Sequence, residues 1–400
     1  MKDRAAWVLT DADRRVWVER LELGPGELGL PEDSGAFIRK TTLRGGLSDG
    51  IDLIEVCNGA LSFTVLPTRG MGVWRAAYNG RFVGWRSPAR GPVHPKFVHA
   101  NDRDGLGWLA GFDEVVVRCG LESNGAPGPD VLPNNQGAPT TIQLGLHGRI
   151  ANIPAHYVEV RVLPGDPPEL CVAGVTDEAM LFLPQLRLTS EISTRLGSNS
   201  LRIRDCVRNL RSTPSEMQLL YHCNFGGPFL DEGARMVVPA SATLPRDARA
   251  AEDIDTWDIY RGPTSGYVEQ CYWHVPLADP KGNSVAMLRN AAGDLGVAVR
   301  FNVRQLPCFT QWKNTGAESD GYVTGLEPAT NYPNPKSFER RHGRVVKLQP
   351  GREYVAELAL EMMDSAAGVK RVETEIRRIQ ARKTREVSRV PVGLYSQGGE

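Results

Sequence analysis

LRLTSEISTRLGSNSLRIRDCVRNL, residues 186–210, holds two runs of alternating apolar and polar residues on either side of a Gly-Ser-Asn turn. A period of two suits a strand with one face buried, because successive side chains point to opposite faces. Leu186, Leu188 and Ile192 precede the turn, and Leu201, Ile203 and Val207 follow it. The stretch reads as two antiparallel strands joined by a loose hairpin.

The same signal recurs outward in both directions, from about Ser34 to Leu360. IDLIEVCNG (51–59), ALSFTVLPTRG (60–70), GVWRAAYNGRFVGW (72–85), HYVEVRVLPG (156–165), ELCVAGVTDE (169–178), SVAMLRNAAGDLGVAVRFN (284–302) and YVAELALEMM (354–363) are alternating or β-branched runs bounded by turn residues. Asn79 and Gly80 can take the positive φ angles of a type I′ turn. The 42 glycines and 28 prolines of the 400 residues exceed the usual combined share of ~12%, as many turns require. Strands following strands without crossover helices call for antiparallel sheets packed face to face. The expected fold is all-β, one large antiparallel β sandwich over residues 1–365, with 1–34 as a peripheral segment and 366–400 as a C-terminal helix and tail. Val369, Val372, Ile376 and Ile379 recur at helical spacing there, and the last dozen residues read as frayed. The stretch 120–140, GLESNGAPGPDVLPNNQGAPT, has no apolar period and reads as a long loop beside a functional site.

Composition narrows the function. Lys plus Arg and Asp plus Glu each number 47, so no net field draws in nucleic acid or acidic lipid. The seven Cys are scattered without a CxxC pair, unlike a disulfide framework or zinc knuckle. No run of eighteen apolar residues and no signal-peptide core is present, and a cytoplasmic address is the expectation. GxxxxGK[ST] and HExxH are absent, which leaves a P-loop reading and an HExxH hydrolase reading without an anchor.

Three residues stand out for chemistry. His147, in GLHGRIAN, is flanked by Gly145 and Gly148, which allow a sharp turn that presents the imidazole at a strand end. His222, in LLYHCNFGG, ends another apolar run. Glu327, in YVTGLEPATNYP, is a carboxylate inside a strand that reads as apolar on both sides, costly to bury without a task or a partner. Two imidazoles and a carboxylate at strand ends can move protons without a nucleophile or cofactor, and the same set could ligate zinc. Cys223 adjoins His222 but points to the opposite face of a strand, so it reads as core.

LHG around His147, YHCNF around His222 and GLEPA around Glu327, in that order, resemble the aldose 1-epimerases of the galactose mutarotase superfamily. LPTRGMGVW, GFDEVVVRCGLESNGAPG and LHGRIANIPAHY are similar to a bacterial branch of that superfamily. The resemblance covers roughly residues 35–365. It implies an antiparallel β supersandwich and an isomerase that interconverts sugar anomers with neither metal nor cofactor. Glu327 takes the role of base at the C1 hydroxyl, His222 of acid at the ring oxygen, and His147 of an imidazole that binds or polarises the sugar. The negative charge of Glu327 is expected to keep a neighbouring imidazole protonated near neutral pH. Arg69 occupies about the place of a sugar-binding Arg. Arg118, Asn124 and Lys313 are further candidates for hydroxyl binding, and Trp312 for stacking on the sugar.

PTRGM, RCGLESNGAPG and QWKN depart from the pattern of the well-studied mutarotases, so galactose or glucose is not implied. The extra Arg and Lys near the expected pocket suggest a sugar bearing an anionic group. The expected partner is a small-molecule sugar, with no nucleic acid and no membrane, bound by a monomer or homodimer. The competing readings are a carbohydrate-binding or regulatory module without turnover, and a metal-dependent sugar isomerase or lyase.

Overall fold

The computed structural model describes residues 6–399. Alternation survives as alternating burial: the strand Asp52–Asn58 buries every second side chain from Asp52 onward, and Ser200–Asn209 does so from Leu201. These half-buried strands build two sheets. The ten-stranded sheet runs in the order Arg235–Val237, Asn283–Arg289, Gly296–Asn302, Glu353–Met363, Ser200–Asn209, Gln185–Arg195, Glu169–Ala179, Tyr157–Leu163, Ala6–Asp11 and Val16–Trp17. The opening hairpin of the sequence reading lies near its middle, with Ile192 opposite Ile203 and Leu188 opposite Val207.

The fourteen-stranded sheet has at its centre Gln270–Pro276, Cys308–Thr315, Tyr322–Ala329, Ser215–Phe225 and Val116–Leu121. Pairing in both sheets is antiparallel, apart from the short Glu386–Val387 strand, which lies parallel to Ala240–Pro245. One continuous apolar core contains Leu188, Ile192, Ile203 and Leu360 of the first sheet and Val65, Tyr221, Cys223 and Leu326 of the second. The expected antiparallel sandwich is therefore observed, with Cys223 in its core.

The Asn79–Gly80 turn closes a two-residue hairpin in which Tyr78 faces Arg81, with φ of 47° and 75°. The C-terminal helix spans Ala366–Gln380. Its stripe of Val369, Val372, Ile376 and Ile379 packs on Val285, Met287 and Ala298, the face of the ten-stranded sheet turned away from the second sheet. Ser365 caps it, accepting from the Gly368 amide. Among the described residues no helix is long and apolar enough to cross a membrane.

Three expectations change. The stretch 120–140 is not a structureless loop: it continues the Val116–Leu121 strand and then forms a separate hairpin, Gly128–Pro133 with Pro139–Leu144. That hairpin belongs to neither large sheet and most of its side chains are exposed or half-buried, so it has no apolar face to show as a period. The amino-terminal segment adds edge strands to both sheets and places Leu9, Leu23, Leu28 and Leu30 in the main core; residues 1–5 lie outside the described part. Residues 389–399 of the final dozen are not frayed, since Val392 and Tyr395 pack on Trp273 and Tyr332 and Ser396 is buried; Glu400 lies outside the described part.

Candidate active site

Two strands of the large sheet are buried on both faces, Ser215–Phe225 and Tyr322–Ala329. One face meets the other sheet. The opposite face floors a pocket of about 450 Å³, within the ~300–1,000 Å³ range of small-molecule sites. Period two decides which residues reach it. Leu220 and His222 point out from one strand, Val323, Gly325 and Glu327 from the next, and Thr310 and Trp312 from the Cys308–Thr315 strand beyond, while Tyr221, Cys223 and Leu326 point into the core.

His147, His222 and Glu327 meet in this pocket. The imidazole centroids of His147 and His222 are 5.4 Å apart, and His222 Nε2 lies 3.2 Å from Glu327 Oε1. His147 has φ +59° between Leu146 and Gly148, and this left-handed turn carries its ring over the floor, edge-on to Trp108. The neighbouring groups fix the proton on each ring. His147 Nδ1 is 2.9 Å from the Asn124 carbonyl oxygen. A carbonyl only accepts, so Nδ1 carries the hydrogen and Nε2 is a bare lone pair. Asn224 Nδ2 donates to the carbonyls of Glu114 and His222. This turns Asn224 Oδ1 onto His222 Nδ1, 2.5 Å away, and puts a hydrogen there too. His222 therefore offers Nε2 to Glu327.

Burial disfavours charge on all three. It lowers His147 to about 4, opposed by the Asn124 hydrogen bond. It also pushes His222 well below the usual imidazole range, with His147 adding to the effect. Glu327 is pushed well above the ordinary carboxylate range by burial, helped by the charge of Glu269 and opposed by Arg246. The expectation that Glu327 keeps an imidazole charged is corrected: in a pocket this dry the desolvation cost outweighs the attraction between the pair. Glu327 Oε1 has no hydrogen-bond donor, despite its closeness to His222.

The proposed binders divide sharply. Trp312 lines the pocket, its ring 5.3 Å from His222 and its Nε1 donating to Glu269 Oε2 at 2.6 Å. Asn124 is fully buried and paired amide to amide with Asn331; it reaches the site through the carbonyl that orients His147. Arg69, Arg118 and Lys313 are not pocket residues. Arg69 is buried against Glu114 and donates to the Val93 carbonyl and Asn152. Arg118 alternates with Val117 and Cys119 and so faces the inter-sheet core, bonded to Asp205, Ser190 and the Met71 carbonyl. Lys313 follows Trp312 and points the other way, giving its ammonium to the carbonyls of Thr256, Trp257 and Ile259.

With those three gone, the cationic pocket is corrected as well. Among the described residues Arg246 is the one Lys or Arg lining it, and it is paired with Asp247 at 2.7 Å and Glu269 at 2.9 Å. No group of three or more His, Cys, Asp or Glu among the described residues is arranged to hold a metal ion.

Several lining residues escaped the sequence reading: Trp108 and Phe112 from the turn before the Val116–Leu121 strand, Glu269, Trp273, Arg246 and Asp247, and Ser396 to Gly398 from the tail. A strand period would have found Asn224 and Gly325, each two residues from a site residue and on its face. Gly325 is a spacing requirement, because a Cβ there would lie 2.5 Å from Glu327 Oε1 and 3.0 Å from His222 Cε1.

This sandwich and its His-His-Glu pocket define a chain of the galactose mutarotase-like superfamily, the class to which the aldose 1-epimerases belong. Within it, the chain belongs to the family DUF4432, a domain of unknown function, whose model matches residues 48–362. A solved structure from Klebsiella pneumoniae subsp. pneumoniae MGH 78578, named a "putative aldose 1-epimerase", is 34% identical, with a TM-score of 0.90 over 98% of this chain and 99% of that one. A galactose mutarotase-like protein from Clostridium acetobutylicum (16% identity, TM-score 0.55, 82% of this chain and 99% of that one) shares the fold. So does a "putative aldose 1-epimerase" from Escherichia coli K12 (14%, TM-score 0.51, 78% and 99%). No curated protein matches the chain.

Proposed function

We propose that this protein is a cofactor-independent aldose 1-epimerase, which interconverts the anomers of an aldose by opening and reclosing the sugar ring. The observation that carries the reading is the buried His222–Glu327 contact on the pocket floor, together with unpartnered polar atoms on lining residues. Thr310 Oγ1, Trp108 Nε1 and Trp273 Nε1 join Glu327 Oε1 in having no hydrogen-bond partner. Each such group costs ~1–3 kcal/mol if left unpaired. A polyhydroxylated ligand supplies both donors and acceptors to such groups, and the aromatic walls of Trp108, Phe112 and Trp312 suit its apolar faces.

In this reading the C1 hydroxyl contacts Glu327 and the ring oxygen contacts His222 Nε2. The reactive pair is carboxylate and imidazolium, formed when the proton that burial keeps on Glu327 passes to His222 Nε2, 3.2 Å away. Glu327 takes the hydroxyl proton, the electrons of that O–H bond become the C1 carbonyl, and the C1–O bond breaks onto the ring oxygen, which receives the proton of Nε2. Glu327 and His222 are then both neutral again, the forms that burial favours. Rotation about C1–C2 followed by the reverse transfers delivers the other anomer. His147 has its N–H committed to Asn124, so its Nε2 accepts a hydrogen bond from a sugar hydroxyl; binding, not polarising, is its role. Arg246 is neutralised by its carboxylates, which favours an uncharged sugar over an anionic one.

The test is polarimetry and exchange NMR on free hexoses, pentoses, uronic acids and sulfonated or phosphorylated sugars, comparing the native protein with Glu327→Gln. Acceleration of at least one neutral aldose, lost in the variant, is the expected result. If none of these sugars interconverts faster than in buffer, the assignment fails.

A further inference from the structure

The wall of the pocket beside Arg246 and Asp247 does not come from either sheet. After the Ala366–Gln380 helix the chain runs along the sheet edge as Glu386–Val387, parallel to Ala240–Pro245. It then turns so that Ser396, Gln397 and Gly398 line the pocket. The DUF4432 match ends at residue 362, so this wall is built outside the segment that defines the family, whereas His147, His222 and Glu327 lie inside it.

The segment is fastened at many points. The Ser388 amide donates to the Thr243 carbonyl, and Arg389 pairs with Asp255 at 2.8 Å. Arg344 donates to the Leu394 carbonyl at 2.8 Å, Asn334 to the Tyr395 carbonyl at 3.0 Å, and the Ser396 hydroxyl to the Arg246 carbonyl. Tyr395 stacks edge-on to Tyr332. Gly398 lies so close to the Arg246–Asp247 backbone that a Cβ would stand 2.9 Å from the Arg246 carbonyl oxygen. Ser396 is buried while Gln397 is exposed, so the segment descends from the rim into the wall. A wall held by six contacts over a dozen residues does not yield to a bulky ligand without losing several of them.

We propose that residues 388–399 are a specificity wall that limits the substrate to a single sugar unit and excludes longer saccharides with a free anomeric end. This rests on the epimerase reading of the same pocket. The expected signature is a size filter: removing the wall affects what fits and how tightly, and leaves proton transfer at Glu327 and His222 in place.

The experiment compares the intact protein with a chain ending at Val387 and with Gly398→Val, which keeps the full length of the segment but forces its backbone off Arg246. Glucose and galactose are set against maltose and lactose, with circular dichroism and thermal melts reporting on the fold. The intact protein is expected to prefer the monosaccharides in kcat/KM by about tenfold or more. Both variants are expected to raise KM for the monosaccharides, change kcat less than twofold, and shift the ratio towards the disaccharides by about tenfold. An intact protein that accepts both sizes equally, or a ratio unmoved in folded Gly398→Val, overturns the wall. If the intact protein turns over none of the four sugars, the epimerase reading fails for these sugars; saturation-transfer NMR then reads the wall by binding alone. Preferential binding of monosaccharides that Gly398→Val abolishes sustains the wall, and equal binding or none rejects it.

Discussion

Two buried acid–base pairs lie on opposite faces of the fourteen-stranded sheet and have opposite character. Arg118 and Asp205 lie between the sheets, and every strong group around them is occupied. The guanidinium meets Asp205 at 3.0 Å, Ser190 at 2.7 Å and the Met71 carbonyl at 2.6 Å, and Tyr221 donates to Asp205 at 2.8 Å. His222 and Glu327 lie on the other face, 3.2 Å apart, with Glu327 Oε1 and Thr310 Oγ1 unpartnered. Tyr221 and His222 are sequence neighbours that serve the two pairs. Burial of charge alone therefore does not mark a functional site. What distinguishes the outer pair is incomplete hydrogen bonding, which the interior pair does not tolerate and which a ligand can complete.

The sharpest way to break this contrast is to remove a partner from the interior pair. Arg118→Met leaves Asp205 buried without its cation and is expected to cost about 3–5 kcal/mol, read as a lowered urea midpoint, with KM unchanged in the protein that remains folded. A raised KM at an unchanged midpoint would return Arg118 to the sugar. The matching change outside is Glu327→Gln. Turnover is expected to fall by roughly 10²–10⁴, the contribution of one acid–base group, while the urea midpoint stays level or rises because an unpaired buried acid has been removed. If the midpoint falls as steeply as for Arg118→Met, the outer pair is structural as well. Gly325→Ala sharpens the geometry between these limits. Its Cβ would lie 2.5 Å from Glu327 Oε1, and displacing that oxygen by a fraction of an ångström is expected to lower kcat by about 10²-fold, with KM and the far-ultraviolet spectrum retained.

The same contrast explains what could be read from the sequence. The sandwich was legible because period-two burial repeats in strands such as Asp52–Asn58 and Gln185–Arg195, and the final helix because its stripe holds over three turns. His147, His222 and Glu327 were legible because glycines, strand ends and a carboxylate in an apolar strand are local signals. Arg118 and Lys313 fall outside the pocket for one physical reason: a basic residue in a strand near the site has two faces to choose from, and one strand's alternation does not say which face the second sheet covers; Arg69 ends the Pro67–Arg69 turn, whose direction no strand period sets. Trp312 and Lys313, adjacent in sequence, fell on opposite sides of that choice. Asp247, Glu269 and Ser396 to Gly398 carried no local signal, because their proximity is created by sheet order and by the path of the tail.

The smallest expected effect concerns acid. His147 is lowered to about 4 and His274 to about 3, both mainly by burial, from an ordinary value near 6.5. Unfolded chains take up a proton on each imidazole as pH falls through 6.5, whereas the folded protein does so only near the lowered values. The stabilisation from keeping these rings neutral is therefore complete above pH 6.5 and is lost progressively as pH falls from 6.5 to about 4 for His147 and to about 3 for His274. Urea midpoints should fall across that window. His147→Gln, whose amide can still donate to the Asn124 carbonyl, is expected to flatten the slope by on the order of 1 kcal/mol at pH 4, leaving the shares due to His222 and His274. Because His274 lies in the apolar interior with Thr243 as its partner at 3.0 Å, a saturating neutral sugar should protect the His147 share of the slope and not the His274 share. Equal protection of both would mean that the ligand stabilises the whole sandwich without touching His147, and would remove that imidazole from the site.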